Sequence, residues 1–164
     1  MELTFHDRWF PGAIGGIAAL HARHYAASHG FGPAFEAKVA RELGAFLQGG
    51  DGFFRAVSRE GEALGSLALE EEGQGVCHLR WVILDASLRG QGIARRWLHE
   101  AILHACHTGQ RLIYLWTLEG LPEAARLYAA AGFREVERLT ATQWGTPATE
   151  IRMELERPPQ RAMS

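Results

Sequence analysis

The sequence predicts an α+β protein with α/β character, built on a single mixed, mostly antiparallel twisted sheet flanked by about four helices. The predicted element order is β-α-α-β-β-β-α-β-α-β-β. Three observations lead there. Four segments repeat apolar residues at the helical period, the remaining apolar runs are short and strand-like, and Gly-rich turns separate the two kinds. Helices then alternate with strands in the second half, which places them over one sheet. No linker, repeat or low-complexity block divides the chain, so residues 1–157 read as one domain, with a disordered tail at 158–164.

The elements follow in order. Leu3 to His6 is a short strand. From Pro11 to His29, Ile14, Ile17, Leu20, His24 and Tyr25 fall at helical spacing, Pro11 suits a first turn, and Gly30 and Gly32 end the helix. A second helix runs from about Pro33 to Leu47 on a stripe of Phe35, Val39, Leu43, Phe46 and Leu47, and closes at "GGD". "FFRAVSR", "ALGSLALEE" and "VCHLRWVIL", separated by "EGE" and "EGQG", form a three-stranded antiparallel meander. From Gln91 to His107, Ile93, Ala94, Trp97, Leu98, Ala101, Ile102 and Ala105 form the apolar face of an amphipathic helix. "RLIYLWTL" reads as a buried strand, "PEAARLYAAA" as a helix stopped by Gly132, and "REVERLTATQW" and "TEIRMELE" as two closing strands joined through "GTP".

Composition narrows the function. The chain is 47% apolar and 22% charged, with a formal net charge of -2, so no basic field supports a nucleic-acid partner. No apolar run reaches the roughly 18 to 20 residues that span a bilayer, and "MELTFHDRWF" lacks the basic-then-apolar order of a signal peptide. Cys77 and Cys106 have no metal-ligand spacing and read as reduced thiols, which fits a cytoplasmic protein without a membrane partner.

The stretch "DASLRGQGIARRWL", Asp85 to Leu98, sets Gly90 and Gly92 between a strand and a helix. A helix start leaves backbone N–H groups pointing outward, where they bind phosphate oxygens. Glycine lets the chain approach an anion closely, and Arg89, Arg95 and Arg96 form a cationic rim. A plain tight turn with solvated arginines is the competing reading. Two phosphate motifs fit poorly: no lysine followed by Ser or Thr comes after the last glycine, and Arg95 stands where a dinucleotide fingerprint wants a small residue.

Arg89-Gly90-Gln91-Gly92-Ile93-Ala94 resembles the Arg/Gln-x-x-Gly-x-Gly/Ala signature of the GCN5-related N-acetyltransferases (GNAT). Leu127-Tyr128-Ala129-Ala130-Ala131-Gly132-Phe133 is similar to the family's "LYxxxGF" helix, in the expected order and at the expected distance. The resemblance runs from about Leu3 to Glu156. "HARHYAASHGFGPAFEAKVA", "GEALGSLAL" and "LRWVILDASLRGQGIARR" further resemble the acetyltransferase half of bacterial fusions carrying a winged-helix regulator of the MarR type.

The resemblance implies the acyl-CoA N-acyltransferase fold, acetyl-CoA as donor, a primary amine of a small molecule or protein as acceptor, and direct attack in a ternary complex. It implies that the backbone of Val82, Ile83 and Leu84 holds the pantetheine arm, while Arg89, Gly90, Gln91, Gly92, Ile93, Ala94 and Arg95 hold the pyrophosphate. Tyr128 is the implied general acid: a phenol near pKa 10 is protonated at neutral pH and donates to a departing thiolate. A backbone N–H near Val82 is the implied oxyanion donor. Some relatives carry a glutamate base where this chain has Trp116, so Glu119 is the stand-in candidate, beside Glu70, Glu71, Glu72, His78 and Arg80. Leu121 occupies the place of an asparagine often found seven residues before the tyrosine.

In the family the first two helices border the acceptor pocket, which makes His21, His24 and Tyr25 acceptor-side candidates, with helix-surface packing as the competing reading. Trp144, in the loop between the last two strands, is a further candidate, with a strand-end aromatic covering the sheet as the competing reading. His21 and His24 lack the intervening glutamate of a zinc-protease motif, and no metal is expected. A non-catalytic acyl-CoA sensor or interaction module on the same fold is the alternative function, and a nucleotide-binding enzyme comes third. Exposed strand edges leave a homodimer open.

Overall fold

The computed structural model describes residues 2–50 and 52–156, so the tail expected at 158–164 lies outside the described residues. Seven strands and four helices follow one another as β1 (Thr4–His6), α1 (Ala13–His29), α2 (Pro33–Gly49), β2 (Phe53–Arg59), β3 (Glu62–Gly73), β4 (Val76–Leu84), α3 (Ile93–His107), β5 (Leu112–Leu118), α4 (Pro122–Ala130), β6 (Arg134–Ala141) and β7 (Ala148–Glu156). Among the described residues a single 3-10 turn, Ala86–Leu88, sits between β4 and α3. The predicted order and the mixed, mostly antiparallel sheet flanked by four helices are what the structure shows: strands lie in the order β1-β2-β3-β4-β5-β7-β6, and only β4 and β5 run parallel.

Alternation along the strands sorts side chains to two faces. Leu67 and Leu69 of β3 join Trp97, Leu98 and Ala101 of α3 in one core, together with Tyr128 of α4. Ala56, Ala63 and Ala68 face the other way, onto Ile17 of α1 and Leu43 of α2. Small residues on that face let α1 lie close to the sheet.

Several boundaries move. The first helix begins at Ala13 rather than Pro11, and its buried face is Ala13, Ile17, Ala18, Leu20 and His21 rather than the stripe through Ile14 and His24. The second helix continues to Gly49. Strand β6 ends at Ala141 instead of Trp144, because residues 142–147 turn back onto the corner between α1 and α2. There the Gly32 N–H donates to the Trp144 carbonyl at 2.9 Å and the Thr146 hydroxyl donates to the His29 carbonyl at 2.7 Å.

Candidate functional site

Strands β4 and β5 pair over only three residues each: Val76 with Leu112, Cys77 with Ile113 and His78 with Tyr114. Beyond that level β5 pairs with β7 on its other side, and β4 turns away. The cause lies in β4. Two residues, Trp81 and Val82, oppose the single Leu67 of β3, since Ser66 pairs with Ile83 and Ala68 with Arg80. Trp81 adopts φ +51, and an extra residue of this kind bends its strand. The Ser66 hydroxyl, 1% exposed, donates to the Trp81 carbonyl at 2.6 Å. Gly65 completes the fit, because a Cβ there would stand 2.9 Å from the Ile83 carbonyl oxygen.

A cleft of about 370 Å³ opens where the strands part. Val82 and Tyr128 line it, with Trp116 on β5 and Trp144 on the returning loop. Tyr128 is 5% exposed; burial, and secondarily Tyr25, pushes its phenol up, and none of the side-chain hydrogen bonds found among the described residues involves it. A buried hydroxyl without a partner, facing a cleft, is an uncommitted donor. Leu121 also lines the cleft.

Just past β4, Asp85 caps the 3-10 turn by accepting from the Ser87 N–H at 3.0 Å. Gly90 and Gly92 then take φ +79 and +77, and Gly92 is the N-cap of α3. The first amide bonded back along this helix is Arg96, to the Gly92 carbonyl at 3.0 Å, so the N–H groups of Ile93, Ala94 and Arg95 precede the helical ladder. A Cβ at Gly90 would meet nothing within 4 Å and one at Gly92 only an Arg95 guanidinium nitrogen at 3.7 Å. The ground above the helix start is therefore open, and the helix dipole makes it positive. These features fit a pyrophosphate.

The arginines divide. Arg89 lies close enough to α1 to act on both His24 and Tyr25. Arg96 departs from the expected cationic rim: its guanidinium lies over the Phe5 ring, 5.4 Å from the centroid.

On the acceptor side, His21, Tyr25 and Trp144 line the cleft together, whereas His24 is absent from its wall and instead packs edge-on against Tyr25 at 4.8 Å. His21 is 5% exposed and donates Nδ1–H to the Ile17 carbonyl at 2.8 Å. Burial pushes its pKa down to about 4, so the ring is neutral at pH 7.

Glu119 does not join the cleft lining. Its side chain is 62% exposed and its carboxylate accepts from Arg138 at 2.8 Å, on the surface. The β3 glutamates are also engaged. Glu70 accepts from Arg80 at 3.0 Å, Glu71 from Gln110 at 3.2 Å, and Glu72 from the Tyr114 hydroxyl at 2.6 Å. His78 stacks on Tyr114 at 4.3 Å and burial pushes its pKa down to about 3. Glu70, Glu72 and His78 bring ligand atoms within 4.8 Å of one another, but both carboxylates already have protein partners.

Sequence reasoning missed the bulge at Trp81, the Ser66 hydroxyl beneath it, and Glu150, Lys38, Phe31 and Phe35 on the cleft wall. Gly65 was the one local sign, a glycine inside a strand.

The model of the acetyltransferase (GNAT) family matches residues 17–133. No curated protein matches the sequence. Among solved structures, the chain is similar to an acetyltransferase of the GNAT family from Staphylococcus aureus Mu50, with a TM-score of 0.74, 14% identity and coverage of 94% of this chain and 99% of that one. It is also similar to a phosphinothricin acetyltransferase from Sinorhizobium meliloti in complex with acetyl-CoA, with a TM-score of 0.69, 18% identity and coverage of 95% and 89%. A third is a ribosomal-protein-alanine N-acetyltransferase from Brucella melitensis, with a TM-score of 0.67, 17% identity and coverage of 93% and 99%.

Proposed function

The chain belongs to the acetyltransferase (GNAT) family, and from that premise we propose that it moves an acetyl group from acetyl-CoA to a primary amine by direct attack in a ternary complex. One observation carries the reading. Strand β4 parts from β5 at a bulge, its end leads through a short loop to the open start of α3, and the cleft between the parted strands is lined by a buried tyrosine with no side-chain hydrogen bond among the described residues.

Acetyl-CoA, when bound, supplies an activated thioester: the amine nitrogen forms a bond to the acyl carbon as the carbon–sulfur bond breaks. The N–H groups of Gly90 to Arg95 hold the pyrophosphate at the positive end of α3, with Arg89 and Arg95 adding charge. The backbone of Val82, Ile83 and Leu84, left without a β5 partner, holds the pantetheine arm. A backbone N–H near Val82, turned by the bulge, stabilises negative charge on the carbonyl oxygen. Tyr128 gives its proton to the departing sulfur, and the proton shed by the amine leaves through the open cleft to water. Glu119, held by Arg138 outside the cleft, has no part in this scheme.

The resemblance of "HARHYAASHGFGPAFEAKVA", "GEALGSLAL" and "LRWVILDASLRGQGIARR" to the acetyltransferase half of the MarR-type fusions supports a kinship with that branch of the family. Strand β6 at the sheet edge, with Val136 and Leu139 exposed, supports a homodimer through that edge. Trp116 and Leu121, in place of the glutamate and asparagine of some relatives, favour the sensor as the second reading.

Thiol release from acetyl-CoA over an amine panel tests the proposal. Wild type is expected to turn over at least one amine, and Tyr128→Phe to lower kcat by about a hundredfold or more while binding acetyl-CoA as tightly. Binding without turnover across the panel transfers the reading to the sensor.

A further inference from the structure

Three charged side chains line the cleft: Lys38, Arg80 and Glu150. The two cations are compensated within the protein. Lys38 Nζ lies 3.2 Å from Glu42, and Arg80 lies 2.5 Å from Glu42 and 3.0 Å from Glu70. Glu150 differs. Its carboxylate accepts only from neutral donors, the Gln143 amide at 2.9 Å and the Trp144 indole N–H at 3.4 Å, and it forms no salt bridge among the described residues. A half-buried carboxylate without a counter-charge is stabilised by any cation brought to it.

The surrounding wall is aromatic. Phe31, Phe35 and Trp144 cluster with ring centroids 5.1 to 6.3 Å apart, and Tyr25 stands 5.3 Å from Phe35. The loop that carries Trp144 is pinned to the α1–α2 corner by the Gly32 amide, so this wall is held by backbone hydrogen bonding as well as by packing. Lys38 Nζ sits 5.6 Å from the Trp144 ring centroid, which shows a primary ammonium already resting at that ring. Flat apolar groups and ammonium ions both suit such a wall.

We propose that the cleft selects a primary amine with an aromatic or similarly flat apolar body and no carboxylate of its own, with Glu150 holding its ammonium group until that group loses a proton through the open cleft to water and its nitrogen, now carrying a lone pair, attacks. This rests on the acetyl-transfer reading above. The apolar body packs against Phe31, Phe35 and Trp144. A carboxylate on the acceptor is disfavoured, because Lys38 and Arg80 are already engaged by Glu42 and Glu70 and the remaining charge is the anion of Glu150.

Calorimetry on the protein saturated with coenzyme A, using 2-phenylethylamine and phenylalanine as probes, tests this without requiring turnover. The amine is expected to bind, phenylalanine at least about tenfold more weakly, and Glu150→Gln to weaken the amine by about tenfold to a hundredfold. Glutamine has the same shape and keeps one acceptor oxygen, for the Trp144 indole, while its NH2 donates to the carbonyl of a flipped Gln143 amide, so thermal unfolding of this variant is expected near that of wild type. In steady state the same variant raises KM for the amine and leaves KM for acetyl-CoA unchanged. Equal amine affinity in wild type and Glu150→Gln, equal affinity for phenylalanine, or no amine binding while coenzyme A binds each overturns the proposal alone. Failure of coenzyme A and acetyl-CoA to bind overturns the acetyl-transfer reading and this proposal with it.

Discussion

His21 shows how one side chain links burial, tautomer and pH. The ring is enclosed by α1 and the cleft, its Nδ1–H is committed to the Ile17 carbonyl at 2.8 Å, and burial lowers its pKa from 6.5 to about 4. The unfolded chain therefore binds a proton on this residue at a higher pH than the folded one. Stability from the neutral ring is complete above pH 6.5 and is lost as pH falls through about 4, on the order of 3 kcal/mol in total. His78, lowered to about 3 by burial and by Arg80, acts in the same direction over a wider window. Urea unfolding at pH 7.5 and pH 5 measures the effect: wild type is expected to lose about 2 kcal/mol through His21 alone, and His21→Gln to show a shallower loss. A slope in the variant equal to that of wild type removes His21 as the cause.

At the scale of elements, the decisive feature is the bulged end of β4, which aims one loop at a helix start and opens one cleft. Its support is the Ser66 hydroxyl donating to Trp81 at 2.6 Å in a fully enclosed position. Ser66→Ala leaves that carbonyl without its donor and is expected to cost about 1 to 2 kcal/mol, read by urea unfolding, with a higher KM for acetyl-CoA because the strand end loosens. Gly92→Ala acts differently: φ +77 strains an alanine by about 1 to 2 kcal/mol, and its Cβ projects into otherwise open ground above the helix start. Titration calorimetry is expected to show at least about tenfold weaker acetyl-CoA binding in a protein that still unfolds cooperatively; unchanged affinity contradicts the cradle. The element order was legible because hydrophobic period and turn residues are local signals, as in "VCHLRWVIL", whose strand spans the predicted residues Val76 to Leu84. The bulge was not, since φ +51 at Trp81 follows from the register of β3 against β4 and not from the residue type. Glu119 failed for a related reason: its position after β5 is local, but its direction is set by Arg138 on β6. Glu150 went unmarked because the corner contact between Gly32 and Trp144 brings distant segments around it.

For the whole molecule, the sheet is continuous except beyond His78, where β4 and β5 part. One core joins α3 and α4 to β2, β3 and β5, the other joins α1 and α2 to the opposite face, and β4 contributes to both through Leu79 and Trp81. Past His78, no backbone pairing crosses from β4 to β5 among the described residues, so the two halves of the sheet meet there only through side chains around a cleft. In the proposed scheme acetyl-CoA bonds to the end of β4 and to the start of α3, a pair of elements brought together in the folded state alone. Acetyl-CoA at a hundred times its Kd is then expected to add about 2.7 kcal/mol of stability, which for a chain of this length raises Tm by about 5 to 10 °C. NAD also carries a pyrophosphate but lacks the pantetheine arm, so it is expected to give a much smaller rise. Thermal unfolding with each ligand decides the point, and a rise with NAD equal to that with acetyl-CoA would mean that the α3 helix start binds pyrophosphates while the parted strands contribute nothing.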